Sequence, residues 1–387
     1  METASLKTRH FLPIFLASIL LSVHYSSTLY INSSFLGKFF SSSGVSFIFV
    51  AGALVAIFFF TKVPILIERF GKRVLFFLFL AAEAVATLGL ALSTSALSAG
   101  IWFVVYSGTL AITYYLLDIF LEDVSTDKKT GRIRGLYLTL MNAAIVLGPL
   151  LVAELATENN FSKVYFLAFA LLLPIFIMPF FLSSSALARQ REKFSHLLSL
   201  RQWFKNHNIR RVTLARLVLN LFYTLMIIFT PLYLREIIGF DWQEIGLMFS
   251  IMLLPFVLFE WPVGVLQDRA WGEKEVMTLG FFISGTALLV MPFLGKSFLI
   301  WTIMLFISRI GASWIEISTE SYFFKKVTSQ DAGLISLFRM TGSVSTVIGA
   351  ILGGVLVCFL PFNYLFFVVA VVVLFGMNES LFIKDTL

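Results

Sequence analysis

Long stretches of apolar residues, broken by short clusters of charge and turn residues, set the pattern of this chain. Within each stretch the apolar residues run on continuously instead of alternating with polar ones. Each stretch is about 20 residues long, the length a helix needs to cross the hydrocarbon of a bilayer, whereas a barrel strand needs about half that and alternates. The pattern predicts twelve spans, at 11–33, 44–66, 74–93, 100–121, 133–154, 163–182, 212–235, 243–265, 275–294, 298–323, 333–358 and 361–383. The connections are short except for 183–211. Lys7 and Arg9 precede the first stretch as they would in a leader peptide. The stretch lacks a small-x-small cleavage site and continues into His24, Tyr25 and Ser26, so it reads as span 1.

Composition strengthens this reading. Of 387 residues 59% are hydrophobic and 13% charged, and mean hydropathy is +0.92. Soluble domains carry roughly 25% charged residues, so lipid is the solvent for most of this surface. A soluble enzyme, a nucleic-acid binder and a disordered chain are excluded. The single cysteine, Cys358, rules out a disulfide framework and a multi-cysteine metal site, and the sequence calls for no metal and no cofactor. The net charge of +7 is a matter of topology. With the N-terminus inside, only Lys38, Lys163, Arg235 and Lys296 fall in outer loops, and only Arg216, Arg309 and Arg339 within spans. All other Lys and Arg lie on the inner side. Basic residues concentrate in cytoplasmic loops, so both termini are expected in the cytoplasm of a bacterial-type inner membrane, and no nucleic-acid partner is needed.

The chain repeats itself. Between spans 2 and 3 stands Val63-Pro64-Ile65-Leu66-Ile67-Glu68-Arg69-Phe70-Gly71-Lys72-Arg73. Between spans 8 and 9 stands Val263-Gly264-Val265-Leu266-Gln267-Asp268-Arg269-Ala270-Trp271-Gly272-Glu273-Lys274, with one residue inserted. Gly108 and Val124 of span 4 correspond to Gly311 and Val327 of span 10. Ala144, Gly148 and Pro149 of span 5 correspond to Ser345, Gly349 and Ala350 of span 11, which continues to Gly353 and Gly354. Because six spans make one repeat, the two halves point the same way across the membrane, and a binding site is expected at their interface near the midplane. The expected organisation is an N-terminal half at 1–182, a cytoplasmic linker at 183–211 and a C-terminal half at 212–387. In the linker Phe194, Leu197, Leu198 and Phe204 alternate with Arg191, Lys193, Arg201 and Lys205 at helical spacing. That spacing suits either an amphipathic helix on the inner leaflet or a solvated connection.

On these features the chain resembles the major facilitator superfamily along essentially its whole length. The resemblance implies an all-α integral membrane protein of twelve transmembrane helices in two parallel six-helix repeats. It also implies a secondary active transporter working by rocker-switch alternating access, as a monomer. It carries a cytoplasmic gating role to Glu68, Arg69, Gly71, Lys72, Arg73 and Asp118 in the first half, and to Asp268, Arg269, Gly272 and Lys274 in the second, where the insertion shifts the last of these. The departures are Pro64 for the family's first glycine, Glu68 for its usual aspartate, and Val152 and Ala153 for the glycine pair that closes the antiporter-type motif of span 5. An acid at Glu68 suits the positive end of a helix, and the alternative for all these residues is ordinary interfacial anchoring.

Ionisable residues inside a bilayer cost about 2.5–3.5 kcal/mol each on insertion scales and usually face a cavity or a partner. Here polar residues gather on spans 1, 4, 7 and 10, which are the first and fourth of each half, and ionisable ones are missing from the interiors of spans 6, 9 and 12. The candidate substrate and proton-coupling residues are His24, Asn32, Tyr114, Asn220, Tyr223, Arg309, Ser313, Glu316 and Glu320, with Glu83 and Glu260 second. Arg309, Ser313, Glu316 and Glu320 form one stripe on span 10. Arg309 there holds an anionic group or a coupling carboxylate, with Glu316 as proton carrier, or it belongs to a structural network with Glu316 or with a neighbour's hydroxyls. The imidazole of His24 is a group suited to carrying a proton, or it stays a neutral, hydrogen-bonded cavity residue. Arg216 and Arg339 lie near the cytoplasmic ends and read as snorkelling anchors. The expected function is transport of a small solute coupled to protons, leaning to efflux of drugs or metabolites, with no enzymatic activity. Import or export of a small organic anion or sugar-like solute is the alternative, and a non-transporting sensor on the same fold is a third.

Overall fold

The computed structural model describes residues 2–124, 130–156, 160–181, 196–267, 271–327 and 332–384. Among these residues the chain is helical, without an extended strand. Eleven helices are long and apolar enough to cross a membrane. The twelfth expected span falls in the helix Thr130–Leu155, of which Thr139–Leu155 is an apolar stretch among the described residues. The count expected from the sequence is therefore met by eleven full-length helices and this further apolar stretch among the described residues. Large apolar side chains such as Phe47, Phe180, Phe293 and Phe359 are 70–82% exposed. Exposure of apolar surface on that scale is unusual in water and ordinary in lipid.

The chain divides into two compact units, Met1–Ala186 with Phe240–Ser250, and Leu187–Gly239 with Ile251–Leu387. The first contains the helices Glu2–Leu29 (span 1), Ser42–Phe70 (span 2), Lys72–Ala91 (span 3), Ala96–Val124 (span 4), Thr130–Leu155 (span 5) and Ser162–Leu172 (span 6). Span 6 tightens into a 3-10 turn at Leu173–Ile177, where Pro174 cannot continue the α-helical hydrogen bonding, and resumes at Met178–Phe181. The second unit contains His207–Leu232 (span 7), which widens into a π-turn at Tyr233–Ile238 just after Pro231. It also contains Gly272–Val290 (span 9), Phe298–Lys326 (span 10), Ala332–Phe359 (span 11) and Tyr364–Phe375 (span 12). Span 8, Trp242–Leu266, stays α-helical through Pro255 and Pro262.

Each unit packs its helices by the same scheme. In the first, span 1 packs against spans 5 and 4, and span 3 against spans 4 and 6. In the second, span 7 packs against spans 11 and 10, and span 9 against spans 10 and 12. The repeated glycines explain the closest of these approaches. A Cβ on Gly148 would collide with the backbone of Ser26 on span 1. One on Gly353 would collide with the ring of Phe229 on span 7, and one on Gly349 would lie 2.9 Å from Leu221 and Thr224. Small residues let helix backbones approach in lipid, where packing rather than water expulsion drives association. Gly354 is buried on the same helix.

The loop signature also repeats in backbone geometry. Gly71 has φ +79° and Gly272 φ +73°, a conformation that L side chains rarely adopt. Gly71 both ends span 2, its N–H donating to Ile67 O at 2.9 Å, and starts span 3, its carbonyl accepting from Leu75 N at 3.2 Å.

Of the linker, a helix at His196–Lys205 lies among the described residues, with Arg201, Phe204 and Lys205 exposed. Arg191, Lys193 and Phe194, which the amphipathic reading also used, lie outside them.

Candidate functional site

The first unit buries a polar cluster at mid-depth. His24 on span 1 and Glu83 on span 3 are both 0% exposed, with Nε2 and Oε1 3.1 Å apart. The other ring nitrogen, Nδ1, lies 2.9 Å from the Ala168 carbonyl on span 6. A carbonyl only accepts, so Nδ1 carries a hydrogen. The contact between Nε2 and Oε1 therefore holds a single proton, carried by the imidazole or by the carboxyl. The second carboxyl oxygen meets the Thr109 hydroxyl on span 4. Above this cluster Thr28 and Tyr106 share a hydrogen bond of 2.6 Å, and the Tyr165 hydroxyl donates to Asn32 Oδ1 at 2.7 Å. Tyr114 is engaged in helix packing, its hydroxyl donating to the Leu21 carbonyl at 3.0 Å.

The second unit holds two arginines against two carboxylates. Arg216 on span 7 lies 2.9 Å from Glu316 and 3.5 Å from Glu320, both on span 10, and Arg339 on span 11 lies 3.1 Å from Glu320. The Tyr223 hydroxyl donates to the other oxygen of Glu316 at 2.7 Å. Asn220 donates to Thr341 at 2.9 Å, and Ser313 returns its hydroxyl to the Ile310 carbonyl at 2.9 Å. Arg309 stands apart from these pairs. It is 2% exposed, and its guanidinium lies 4.6 Å from the Phe222 ring and 5.8 Å from the Tyr223 ring. Its Nη1 has no hydrogen-bond partner.

Two readings of the sequence change here. The pairing of Arg309 with Glu316, one of the alternatives for this stripe, is replaced by Arg216 with Glu316. Seven residues along a helix is a rise of about 10 Å, too long a gap for Arg309 to close while its guanidinium lies on Phe222. Arg216, read as a snorkelling anchor, reaches Glu316 from the neighbouring helix. Glu83, placed second, instead belongs to the same cluster as His24. Spans 6 and 9, which carry no ionisable interior residue, still contribute polar groups: Tyr165 and the Ala168 carbonyl, and Ser284, which donates to the Ser308 carbonyl at 2.8 Å. Glu260 is partly exposed on span 8.

At the loop motif between spans 2 and 3 Arg69 lies 5.2 Å from the Phe70 ring and Lys72 5.5 Å from the Phe120 ring, while Arg73 Nε is buried without a partner among the described residues. Asp118 takes part in further polar contacts on span 4. The side chain of Glu68, and Asp268 and Arg269 entirely, lie outside the described residues. In the second half Glu273, not Lys274, takes the place of Lys72. It follows Gly272 as Lys72 follows Gly71, it is 0% exposed, and Lys325 Nζ lies 2.6 Å from its carboxylate with Ser321 donating at 3.1 Å. The sequence carried a signal for this. Lys325 occupies the repeat position of Glu122, so the two halves place opposite charges at equivalent positions. Among the described residues no cluster of three or more His, Cys, Asp or Glu could hold a metal ion.

The family profile described as Major Facilitator Superfamily matches residues 11–251 and 212–385. The uncharacterized MFS-type transporter YvkA of Bacillus subtilis is 23% identical over 256 residues, 64% of this chain and 54% of that protein. The multidrug resistance protein MdtG of Salmonella typhimurium is 26% identical over 265 residues, 64% of this chain and 62% of that protein. The matched stretches thus span about half to three fifths of these relatives. The crystal structure of the nucleoside transporter NupG superposes with a TM-score of 0.76 at 15% identity, covering 97% of this chain and 100% of that one. A bacterial homologue of the lysosomal transporter Spinster, inward-facing and unoccupied, gives 0.71 at 11% identity, covering 97% and 93%. At these identities the structural likeness is one of fold.

Proposed function

The chain belongs to the major facilitator superfamily, and from that premise we propose that it is a proton-coupled secondary transporter that exports a small solute by alternating access. The observation that carries this reading is the His24–Glu83 contact, a single proton held between two fully buried titratable groups on different helices. Such a contact can release and regain a proton when water reaches it. Export is supported by the partial likeness to MdtG and by Gly148-Pro149 in span 5. The basic residues of the inner loops support cytoplasmic termini, and the two internal repeats support a working monomer.

The test is transport by purified protein in proteoliposomes under an imposed pH gradient, with a panel of labelled organic acids, sugars and cationic dyes. The gradient should drive accumulation of at least one of these solutes. Glu83→Gln should abolish that drive while leaving exchange of the same solute across the membrane intact. Solute flux indifferent to the gradient would overturn proton coupling. Binding without counterflow would make the protein a sensor.

A further inference from the structure

The membrane-spanning arginines of the second unit divide into two kinds. Arg216 and Arg339 are matched by Glu316 and Glu320, two cations against two anions. Arg309 is left over. Among the described residues no carboxylate lies within ion-pairing distance of its guanidinium, Nη1 makes no hydrogen bond, and the residue is 2% exposed. Its neighbour one turn on, Ser313, spends its hydroxyl on the backbone of its own helix. Each carboxylate oxygen of Glu316, two turns on, already accepts a hydrogen bond, one from Arg216 and one from Tyr223.

Arginine cannot escape this position by losing its proton, since guanidinium stays charged in proteins. The faces of Phe222 and Tyr223 attract the cation through their ring quadrupoles, but they supply no acceptor for its N–H groups. A buried charge without a counter-charge is among the costliest features a protein can carry. Held near the middle of a 29-residue helix, it is explained by a partner that comes and goes.

We propose that Arg309 is the binding group for a substrate anion: the transported solute carries a carboxylate or phosphate that bonds to the free edge of the guanidinium, while Phe222 and Tyr223 hold its face. This rests on the transport reading above and names the class of solute. The planar guanidinium suits both oxyanions, because it can present two parallel N–H donors to either.

The experiment is a thermal-shift titration of the full-length protein in detergent with matched pairs of probes: benzoate against benzamide, succinate against succinamide, and phenyl phosphate against phenol. The wild type should be stabilised by at least one acid and not by its uncharged counterpart, with the carboxylate and phosphate arms separating the two anion classes. Arg309→Met should lose the acid response, and Arg309→Lys, which keeps the charge but not the fork, should need at least tenfold more acid. Without ligand Arg309→Met should melt no lower than the wild type, because it removes an uncompensated charge. The proposal is overturned if no acid outperforms its neutral counterpart, if acids stabilise Arg309→Met equally, or if that variant melts well below the wild type. These readouts measure binding alone. Failed transport in liposomes with the acid response intact would sink the transport reading and leave Arg309 as the binding group of an anion that is not transported.

Discussion

Removing the imidazole of His24 should cost more than any other single truncation in the first unit, and the cost should depend on Glu83. In the folded protein the Glu83 carboxyl group, 0% exposed, has the His24 ring on one oxygen and the Thr109 hydroxyl on the other. His24→Ala strips away the only titratable partner and leaves the carboxyl facing a cavity. Breaking a buried pair by deleting one member costs about 3–5 kcal/mol. Glu83→Gln is a milder change. The amide oxygen still accepts from Thr109, and the amide N–H₂ donates to Nε2, which is bare when Nδ1 is committed to Ala168. The cost is about 1 kcal/mol, that of exchanging one hydrogen bond for another. In the Glu83→Gln background His24→Ala no longer strands a carboxyl group, so the two changes should couple by about 2 kcal/mol, within the range for residues in one network. That is a factor of about 30 in the unfolding equilibrium. Reversible unfolding in mixed dodecyl sulfate micelles, followed by circular dichroism on the four proteins of the cycle, measures it. A cost below about 1 kcal/mol for His24→Ala, or the same cost in both backgrounds, would refute the shared-proton contact.

Three further outcomes follow from the geometry. Glu273→Lys sets a buried cation against Lys325 and should destabilise the protein by about 3 kcal/mol or more. Adding Lys325→Glu should recover most of it, because the first half already carries a lysine at the equivalent place; equal melting temperatures for the single and double variants would count against this. Gly71→Ala should cost about 1–3 kcal/mol from backbone conformation alone, since nothing lies within 4 Å of the added Cβ; an unchanged unfolding midpoint would rule out the positive-φ turn. Gly148→Ala should cost about 1–3 kcal/mol through collision with the Ser26 backbone. Gly342→Ala, where a Cβ meets only open space inside a helix, is the control and should not lower the midpoint, because alanine is favoured over glycine there by about 0.5–1 kcal/mol.

Much of the scaffold could be read from local pattern, because lipid imposes a coarse rule. Apolar stretches of span length became helices, and the matched glycines at 71 and 272 became matched turns of positive φ. The candidate site was legible by residue type and not by pairing. Helical spacing shows which groups share one face, so Arg309 and Glu316 looked like partners. Which group on another helix comes nearest depends on how spans 7 and 10 pack, and no spacing along one helix records that. The same holds for His24 and Glu83, 59 residues apart on spans 1 and 3. The Ala168 carbonyl leaves no trace in the sequence, because every residue has one. Glu273 was hidden for a different reason. Aligning the two loops on their basic residues pointed to Lys274, whereas the turn glycine sets the helix register and puts Glu273 in the place of Lys72.

The two clusters solve one electrostatic problem in opposite ways, and that bears on how a transporter of this kind is driven. With its one shared proton, the His24–Glu83 contact is neutral; without it, the contact carries a negative charge in a site closed to water. In the second unit Arg216 and Arg339 cancel Glu316 and Glu320 among the described residues, and Arg309 leaves a positive charge, which on its proposed role an incoming anion removes. Each cluster therefore reaches neutrality by acquiring something from water, a proton in one case and an anionic solute in the other. A charged buried group is costly in low dielectric and tolerable when hydrated. The empty clusters thus favour conformations open to water, and the occupied clusters permit closed ones. On the proposed functions of Glu83 and Arg309, occupancy itself then licenses the passage through a closed state. That predicts a kinetic asymmetry: Arg309→Met, neutral when empty, should close without solute and leak protons down their gradient, as a pH-sensitive dye trapped in the liposomes would report. Proton flux in that variant no greater than in the wild type without solute would show that charge neutrality does not control closure.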